Sequence, residues 1–208
     1  MKLQIAIDRV KLEDAIRLAQ KLDGIADIIE LGTSIIKDYG FCTIKRAEIG
    51  LKKSLLLMDS KTNDEGTYEF SQGFKAGADI LTVMGSADKA TLDLAYEVAE
   101  QKKKKMLIDL MGLEPRIIRK IAVYPNAIYN LHKSYDNKKS MPITNEIANF
   151  KSEYPNIKNI AVAGGINLKQ VKQIAKQKKA SIVIVGSKIV KTCNPVNSAI
   201  QFKEAIMQ

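Results

Sequence analysis

The sequence has no tryptophan, only two cysteines and a single histidine in 208 residues. Cys42 and Cys193 form no CxxC pair, which excludes a disulfide scaffold and a Cys/His zinc site. Aromatic residues are few and no nucleic-acid recognition motif is present, so we expect no nucleic-acid partner despite the net charge of +10. The excess charge is mostly lysine on expected outer helix faces, and it also suits an anionic, phosphorylated small substrate.

Long apolar runs are missing as well. No stretch of about 18 apolar residues occurs, so we expect no transmembrane helix and no membrane partner. The first residues, MKLQIAIDRV, reach Asp8 too early for the apolar segment of a signal peptide, which predicts a cytoplasmic protein. With 46% hydrophobic residues and no linker or low-complexity segment, residues 1–208 are expected to form one domain.

Short apolar runs rich in β-branched residues alternate with amphipathic stretches along the whole chain. The predicted strands are 2–7, 26–31, 54–59, 78–84, 105–110, 126–132, 158–164 and 180–186. The predicted helices are about 11–22, 33–38, 65–76, 88–103, 115–121, 143–151, 168–177 and 195–207. Eight strand–helix units with continuously apolar strands predict a single α/β domain, a (β/α)8 TIM barrel. A doubly wound open sheet is the alternative, although it rarely needs eight regular repeats.

Charged side chains stand at the ends of several predicted strands. These residues are Asp8, Glu30, Asp59, Lys61, Asp109 and His132. Catalytic residues of a TIM barrel come from the carboxyl ends of several strands, so this pattern predicts an active site there. Asp8 and Asp109 could instead be turn residues at strand ends.

Glu30 lies inside the apolar segment DIIEL, where an unpaired carboxylate would cost several kcal/mol if buried. Four carboxylates converging on one mouth would repel one another and raise one another's pKa values. One lysine cannot balance them, but a divalent cation could, and ligands that are all oxygen favour Mg²⁺.

Asp59 and Lys61 are two residues apart, which predicts that they point to the same side of an extended strand. The alternative is a surface salt bridge. Asp64 lies past the strand and out of its register, where it could instead serve as a helix N-cap or first-turn carboxylate. His132 ends an apolar strand facing the same mouth, which favours general acid–base work over a packing or surface role.

The last two units carry a pattern typical of phosphate binding. AVAGGIN, with Gly165, and IVGSKI, with Gly186 and Ser187, follow the seventh and eighth strands. Glycines let backbone N–H groups approach an anion closely, and barrels often bind phosphate at these two loops. The alternative is that the glycines only make tight turns.

These residues together resemble the orotidine 5′-monophosphate decarboxylase suprafamily, whose D-x-K-x-x-D motif matches Asp59, Lys61 and Asp64. The similarity is greater to its 3-hexulose-6-phosphate synthase family. KLQIAID, IIELGTSIIKDYG, AGADILTVMGSAD, AVAGGIN and IVIVGSKIVKTCNP match it in order and spacing over nearly the whole chain. A sister family, 3-keto-L-gulonate-6-phosphate decarboxylase, shares the barrel and most of the site.

The resemblance implies a homodimer of (β/α)8 barrels that works through a Mg²⁺-stabilised enediolate. Glu30 and Asp59 match the metal-binding carboxylates, and Lys61 matches the lysine that faces the reacting oxygens. Asp64 matches an aspartate that each subunit lends to its neighbour's site, and His132 matches the histidine that moves a proton. The resemblance places Gly165, Gly186 and Ser187 at the phosphate, while Asp8 and Asp109 are candidate substrate contacts.

Several positions depart from the family pattern. The histidine is followed by KSYD, which keeps Tyr135 and Asp136 but not the usual Thr-Gly. The decarboxylases carry an arginine where Tyr135 stands, which favours a synthase. Met58, Glu65 and Lys188 also stand where smaller residues are common.

Three functions therefore remain open at this stage. The first is an aldehyde-lyase that joins formaldehyde to D-ribulose 5-phosphate or splits the product. The second is the sugar-acid-phosphate decarboxylase, and the third is a non-catalytic phosphosugar-binding dimer.

Overall fold

A computed structural model describes residues 1–133 and 141–207 of the chain. Its strands form a closed parallel barrel in the order β1 to β8, which confirms the predicted (β/α)8 architecture. The strands are β1 (Lys2–Ile7), β2 (Ile28–Leu31), β3 (Leu55–Thr62), β4 (Ile80–Met84), β5 (Lys105–Asp109), β6 (Ile128–His132), β7 (Ile160–Ala163) and β8 (Ile182–Val185).

The helices lie between the strands and after the last one. They are α1 (Leu12–Leu22), α2 (Thr33–Thr43), α3 (Arg46–Ile49), α4 (Gly66–Lys75), α5 (Lys89–Gln101), α6 (Pro115–Ile121), α7 (Ile143–Glu153), α8 (Leu168–Gln177), α9 (Ser187–Val190) and α10 (Pro195–Met207). The short helices α3 and α9 were not predicted, because four residues are too few to show a helical period. In the described part of the chain, no helix combines the length and apolarity that a bilayer crossing requires.

Each strand is buried on both faces because its alternate residues enter two different cores. On β2, Ile29 and Leu31 pack outward in the large core shared with the helices. Ile28 faces the barrel interior, in a small apolar cluster to which β1 adds only Ala6. The members of this cluster are Ile28, Leu57, Ile80, Leu107, Ile128, Ala161, Ala163, Ile182 and Ile184. Glu30, two residues after Ile28, is therefore turned toward the barrel interior.

The helices bury the stripe that their sequence spacing predicts. On α1 the buried residues Leu12, Ala15, Ala19 and Leu22 recur every three or four positions, so they form one face against the barrel. α8 begins with a capping box in which Asn167 Oδ1 accepts from the Gln170 amide at 3.0 Å and Gln170 Oε1 accepts from the Asn167 amide at 2.9 Å. This fixes the start of α8 directly after the glycine pair of the seventh unit.

β3 differs from its prediction in a way that matters for the site. The predicted strand ended at Asp59, but β3 continues to Thr62, and its pairing with β4 shifts register between Met58 and Thr62. Within this irregular stretch Lys61 has a φ of 47°, in the left-handed region that non-glycine residues rarely adopt. The extra residues therefore change the direction of the strand just where its charged side chains lie.

Candidate active site

The carboxyl ends of the strands enclose a cavity of about 700 Å³. All eight strands contribute to its wall, and the charged residues predicted at the strand ends meet in it. The charged residues that line it are Asp8, Arg9, Glu30, Asp59, Lys61, Asp109, His132, Lys133, Lys188 and Lys191. Carboxylates dominate the floor of the cavity, and three of them are buried: Glu30, Asp59 and Asp109.

Lys61 places its ammonium between two of these carboxylates. Its Nζ lies 3.0 Å from Asp109 Oδ2 and 3.3 Å from Asp59 Oδ2. The two residues on β3 thus meet as predicted, but regular strand alternation is the wrong reason because Lys61 has left-handed backbone geometry. The Lys61 amide donates to Thr82 Oγ1 at 2.8 Å, which helps to hold this conformation.

Asp109 connects Lys61 to the histidine. Its Oδ2 accepts from Lys61 and lies 2.8 Å from His132 Nδ1, while its Oδ1 accepts from the Met111 amide at 3.0 Å. Because Asp109 is only 2% exposed, these bonds are made away from bulk water, where charge-assisted hydrogen bonds are strongest. A hydrogen bond from Nδ1–H to a carboxylate leaves His132 Nε2 as the nitrogen that can exchange a proton.

The charges of this network shift the pKa values of its members in opposite directions. Burial raises the pKa of Asp109, but the hydrogen bond and charge of His132, and then Lys61, more than offset it and leave the pKa below its usual value. Burial lowers the pKa of Lys61, but Asp59 and then Asp109 raise it by more than burial lowers it. The pKa of Lys61 therefore lies above the usual lysine value. Lys61 therefore stays an ammonium and Asp109 a carboxylate at neutral pH.

Two threonines hold the Asp59 carboxylate. Thr82 Oγ1 donates to Asp59 Oδ1 at 2.7 Å, and Thr33 Oγ1 donates to Asp59 Oδ2. Both threonines line the cavity from neighbouring parts of the barrel, Thr82 on β4 and Thr33 at the start of α2. Asp59 is thus fixed in orientation before any ligand binds.

Glu30 is a buried carboxylate of the cavity whose pKa is strongly raised. It is buried, and its Oε2 accepts one hydrogen bond of 2.6 Å from Gln4 Nε2. Burial, followed by the charge of Asp59, raises its pKa to about 8, and the Gln4 hydrogen bond and Lys61 only partly oppose this. A nearby positive charge would lower the pKa of Glu30 and so oppose the effects of burial and of Asp59.

Glu30 and Asp59 are the candidate ligands for a magnesium ion. Both are oxygen ligands in one cavity, and Mg²⁺ is commonly held by one or two carboxylates while it keeps several waters. Among the described residues, no cluster of three or more His, Cys, Asp or Glu side chains is arranged as a complete metal cage. The donor set therefore suits a hydrated cation that shares its ligands with a substrate.

Asp8 is held at the mouth by the start of α2. Its Oδ1 accepts from the Ser34 amide at 3.1 Å, from Ser34 Oγ and from the Arg9 amide at 3.1 Å. Gly32 makes this approach possible, because a Cβ at position 32 would lie 2.7 Å from the Asp8 Cγ. Asp8 therefore has a defined place in the cavity wall.

The glycines of the last two units also line the cavity. Gly164 and Gly165 have φ values of 110° and 67°, in the region that favours glycine. A Cβ at Gly164 would come within 2.5 Å of the Lys133 carbonyl oxygen, so close chain approach also requires a glycine here. Gly186 and Ser187 stand at the start of α9, on the wall next to β1.

Asp64 is placed apart from the other predicted site residues. It is exposed, does not line the cavity of its own barrel, and its Oδ1 accepts from the Glu65 amide at 2.8 Å. It is not the N-cap of α4, because Glu65 occupies that position without a side-chain capping bond. The expectations for Tyr135 and Asp136 lie outside the described residues.

Four polar residues that were not predicted also line the cavity: Gln4, Thr33, Thr82 and Asn130. Gln4, Thr82 and Asn130 occupy inward-facing positions of apolar strands and are almost fully buried. Asn130 stands two positions before His132, and this spacing was the signal that could have found it. Gln4 and Thr82 have no cavity-lining charge two positions away. Thr33 carried no such signal, since a threonine at a helix start is common.

Comparison with known proteins places this geometry in a family. The family model described as orotidine 5′-phosphate decarboxylase / HUMPS family matches residues 1–202. A Bacillus subtilis protein named 3-hexulose-6-phosphate synthase is 32% identical over the full length of both chains. One of the same name from Staphylococcus aureus is 33% identical over 99% of each chain.

Solved structures agree with these sequence relatives. The 3-hexulose-6-phosphate synthase of Salmonella typhimurium superposes with a TM-score of 0.90 at 30% identity, over 100% of this chain and 99% of the other. A structure of KGPDC from Streptococcus mutans gives a TM-score of 0.88 at 22% identity, over 99% of this chain and 97% of the other. The second similarity bears on the fold alone.

The fold, the charged cavity and the relatives define the class: the chain is an enzyme, a carbon–carbon lyase built on a (β/α)8 barrel. It belongs to the orotidine 5′-phosphate decarboxylase / HUMPS family, as the family model and the full-length relatives show. This confirms the predicted enzyme, and it sets aside the non-catalytic binding dimer.

Proposed function

We propose that the protein is a 3-hexulose-6-phosphate synthase that joins formaldehyde to D-ribulose 5-phosphate, or splits D-arabino-hex-3-ulose 6-phosphate in the reverse direction. The observation that carries this proposal is the identity of 32–33% to proteins of that name along the entire chain. The structures of KGPDC and of a 3-keto-L-gulonate-6-phosphate decarboxylase share the barrel at 22% identity, which bears on the fold and not on the activity.

The reaction needs a carbon nucleophile made from a phosphorylated ketose. Loss of a proton from C1 of D-ribulose 5-phosphate gives an enediolate, C1 then bonds to the formaldehyde carbon, and the new alkoxide takes up a proton. The barrel must therefore stabilise negative charge on the two enediolate oxygens and move protons at neutral pH.

The network of Lys61, Asp109 and His132 suits both tasks. Lys61 keeps its positive charge because Asp59 and Asp109 raise its pKa, so it can face a developing oxyanion. His132 is oriented through Nδ1 by Asp109, at 2.8 Å, and exchanges the proton through Nε2. Asp109 acts on the histidine and the lysine together and need not itself accept a proton.

Glu30 and Asp59 would hold Mg²⁺. When bound, the ion supplies positive charge for the oxygens that become negative in the enediolate. Thr33 and Thr82 keep Asp59 oriented for this role, and Asp8, which lines the same cavity, would contact the sugar hydroxyls.

The phosphate would bind at Gly165, Gly186 and Ser187. The positive φ of Gly165 and the helix start at Ser187 suit backbone N–H groups that point toward an anion. Lys188 and Lys191 also line the cavity and are exposed, so their charge adds to the attraction of an anionic substrate.

We also propose a homodimer in which Asp64 completes the partner's site. Asp64 is exposed and does not line the cavity of its own barrel, which supports a role at a partner's site. One turn further on, Tyr68 on α4 is 62% exposed, an aromatic surface suited to contact with a second copy.

The pairing of β1 with β8 supports one domain for residues 1–208, because both ends of the chain join one sheet. The predicted cytoplasmic location is part of the same proposal.

An assay with competing substrates tests the function. Purified protein would be given formaldehyde with D-ribulose 5-phosphate, or 3-keto-L-gulonate 6-phosphate alone, each with Mg²⁺ or with EDTA. We expect product from the first pair only, loss of turnover in EDTA and recovery with Mg²⁺. Decarboxylation in preference to condensation would assign the sister activity instead, and full turnover in metal-free protein would contradict the role of Glu30 and Asp59.

A further inference from the structure

Gln4 is an amide enclosed in the barrel interior. It belongs to β1, is 1% exposed and lies beside Ile28 of β2, two residues before Glu30. Burying an amide without hydrogen bonds costs several kcal/mol, so a glutamine in the middle of an apolar strand needs a compensating role. Its Nε2 donates to Glu30 Oε2 at 2.6 Å.

This bond fixes one of the two carboxylate oxygens of Glu30. Within the described ranges, Gln4 is the one residue that donates a hydrogen bond to the Glu30 side chain. Glu30 Oε1 receives no hydrogen bond from these residues. Glu30 itself lines the cavity. Holding Oε2 against the barrel wall therefore leaves Oε1 as the oxygen available to a ligand.

The other end of the Gln4 amide is a second, independent observation that points to a polar partner in the cavity. Gln4 Oε1 is buried and has no hydrogen-bond partner among residues 1–133 and 141–207, although Gln4 also lines the cavity. A buried carbonyl oxygen beside a polar cavity is commonly satisfied by an ordered water. Hydrated Mg²⁺ retains several such waters, which suits an acceptor at this place.

We propose that Gln4 is a positioning residue for the metal site: it orients the Glu30 carboxylate through Nε2 and accepts a hydrogen bond from a cavity water through Oε1. The inference rests on the proposed function, in which Glu30 and Asp59 hold Mg²⁺. Partners of this kind orient metal ligands, and their loss typically lowers metal affinity on the order of 10- to 100-fold.

Binding of Mg²⁺ to the whole, metal-free protein tests the role without reference to activity. Isothermal titration would compare wild type with Gln4→Met, which keeps the length of the side chain but has no amide. Gln177→Met is the matched control, because Gln177 also has a buried Oε1 without a partner in the described chain, yet lies on α8 outside the cavity. We expect the dissociation constant to rise about 10- to 100-fold for Gln4→Met and to stay unchanged for Gln177→Met.

Equal affinity in Gln4→Met and wild type would overturn the proposal, and so would a lower melting temperature without a change in affinity, which marks a merely structural amide. If Gln4→Met does not fold by circular dichroism, Gln4→Asn replaces it, since its amide is one methylene too short to reach Glu30 Oε2. If wild type turns over with Mg²⁺ and Gln4→Met binds Mg²⁺ as tightly as wild type does, only the inference about Gln4 is refuted. Wild type that neither binds Mg²⁺ nor turns over would refute the proposed function and this inference with it.

Discussion

Replacing Glu30 by glutamine should stabilise the metal-free protein, and the gain should depend on pH. Folding raises the pKa of Glu30 from 4.5 to about 8, because the carboxylate is buried next to Asp59. The folded state therefore favours the protonated acid, while the unfolded chain releases the proton at ordinary pH. The Glu30→Gln variant has no proton to release, and its side-chain oxygen can still accept the hydrogen bond from Gln4 Nε2.

The sign and size of the effect follow from linkage. Below pH 4.5 Glu30 is protonated in both states and costs nothing. Between pH 4.5 and 8 the free energy of unfolding of wild type falls, relative to the variant, by about 1.4 kcal/mol per pH unit. Over a difference of about 3.5 pH units this reaches roughly 5 kcal/mol, and above pH 8 it stays constant.

Urea unfolding in EDTA at pH 5, 6.5, 8 and 9 measures the difference. Glu97→Gln is the matched control, because Glu97 Oε1 also accepts from an amide, Gln101 Nε2 at 3.0 Å, but on the exposed face of α5. Its effect should be small, because the Glu97 side chain is exposed. A Glu30→Gln effect that does not change with pH would refute the reasoning. Mg²⁺ at 100 times its dissociation constant should restore about 2.7 kcal/mol to wild type and far less to the variant.

Two further results are expected. Asp109→Asn should lower the free energy of unfolding by about 3–5 kcal/mol and abolish most turnover, because a buried carboxylate that serves both Lys61 and His132 is lost. Asp93→Asn breaks the exposed ion pair with Lys89 on α5. It should lower the free energy of unfolding by at most about 1 kcal/mol in the same urea experiment. Lys61→Ala and Asp64→Asn should each be nearly inactive, yet a mixture after subunit exchange should regain activity, since one site of each heterodimer then carries neither lesion.

Each of these has a clear contrary outcome. Equal costs for Asp109→Asn and Asp93→Asn would mean that the network around Asp109 adds no more than a surface pair. A mixture that stays inactive after mass spectrometry has verified exchange would place Asp64 in its own chain's site, and the dimer would have no catalytic role.

The eight-unit barrel could be predicted because its apolar strands and amphipathic helices repeat without interruption, so period alone reveals them. Glu30 could also be found from the sequence, because a carboxylate inside an apolar run is costly to bury unless a positive charge compensates it. The position of Lys61 beside Asp59 was predicted from strand alternation, but the structure achieves it through a register shift and a φ of 47°. No local propensity of lysine indicates such a backbone, because Thr82 on another strand holds it.

Asp109 shows a second limit of the sequence. Its place at a strand end was evident from the sequence. Its hydrogen bonds to both Lys61 and His132 depend on side chains from three strands that meet at one carboxylate oxygen. Gln4 and Thr82 went unnoticed because single polar residues in strands are common and only the barrel closure shows which of them face inward. Residues whose role depends on partners far along the chain are the ones that sequence patterns describe least well.

The closure of the barrel between β1 and β8 has a consequence for how activity appears during folding. Lys2 pairs with Ile182, so the last contact of the ring joins segments at opposite ends of the chain. Contacts of such long sequence separation carry a large loop-closure entropy and form slowly. The cavity takes a wall residue from every strand. Helical circular dichroism should therefore recover ahead of turnover after dilution from urea, which makes catalysis a reporter of the final closing step.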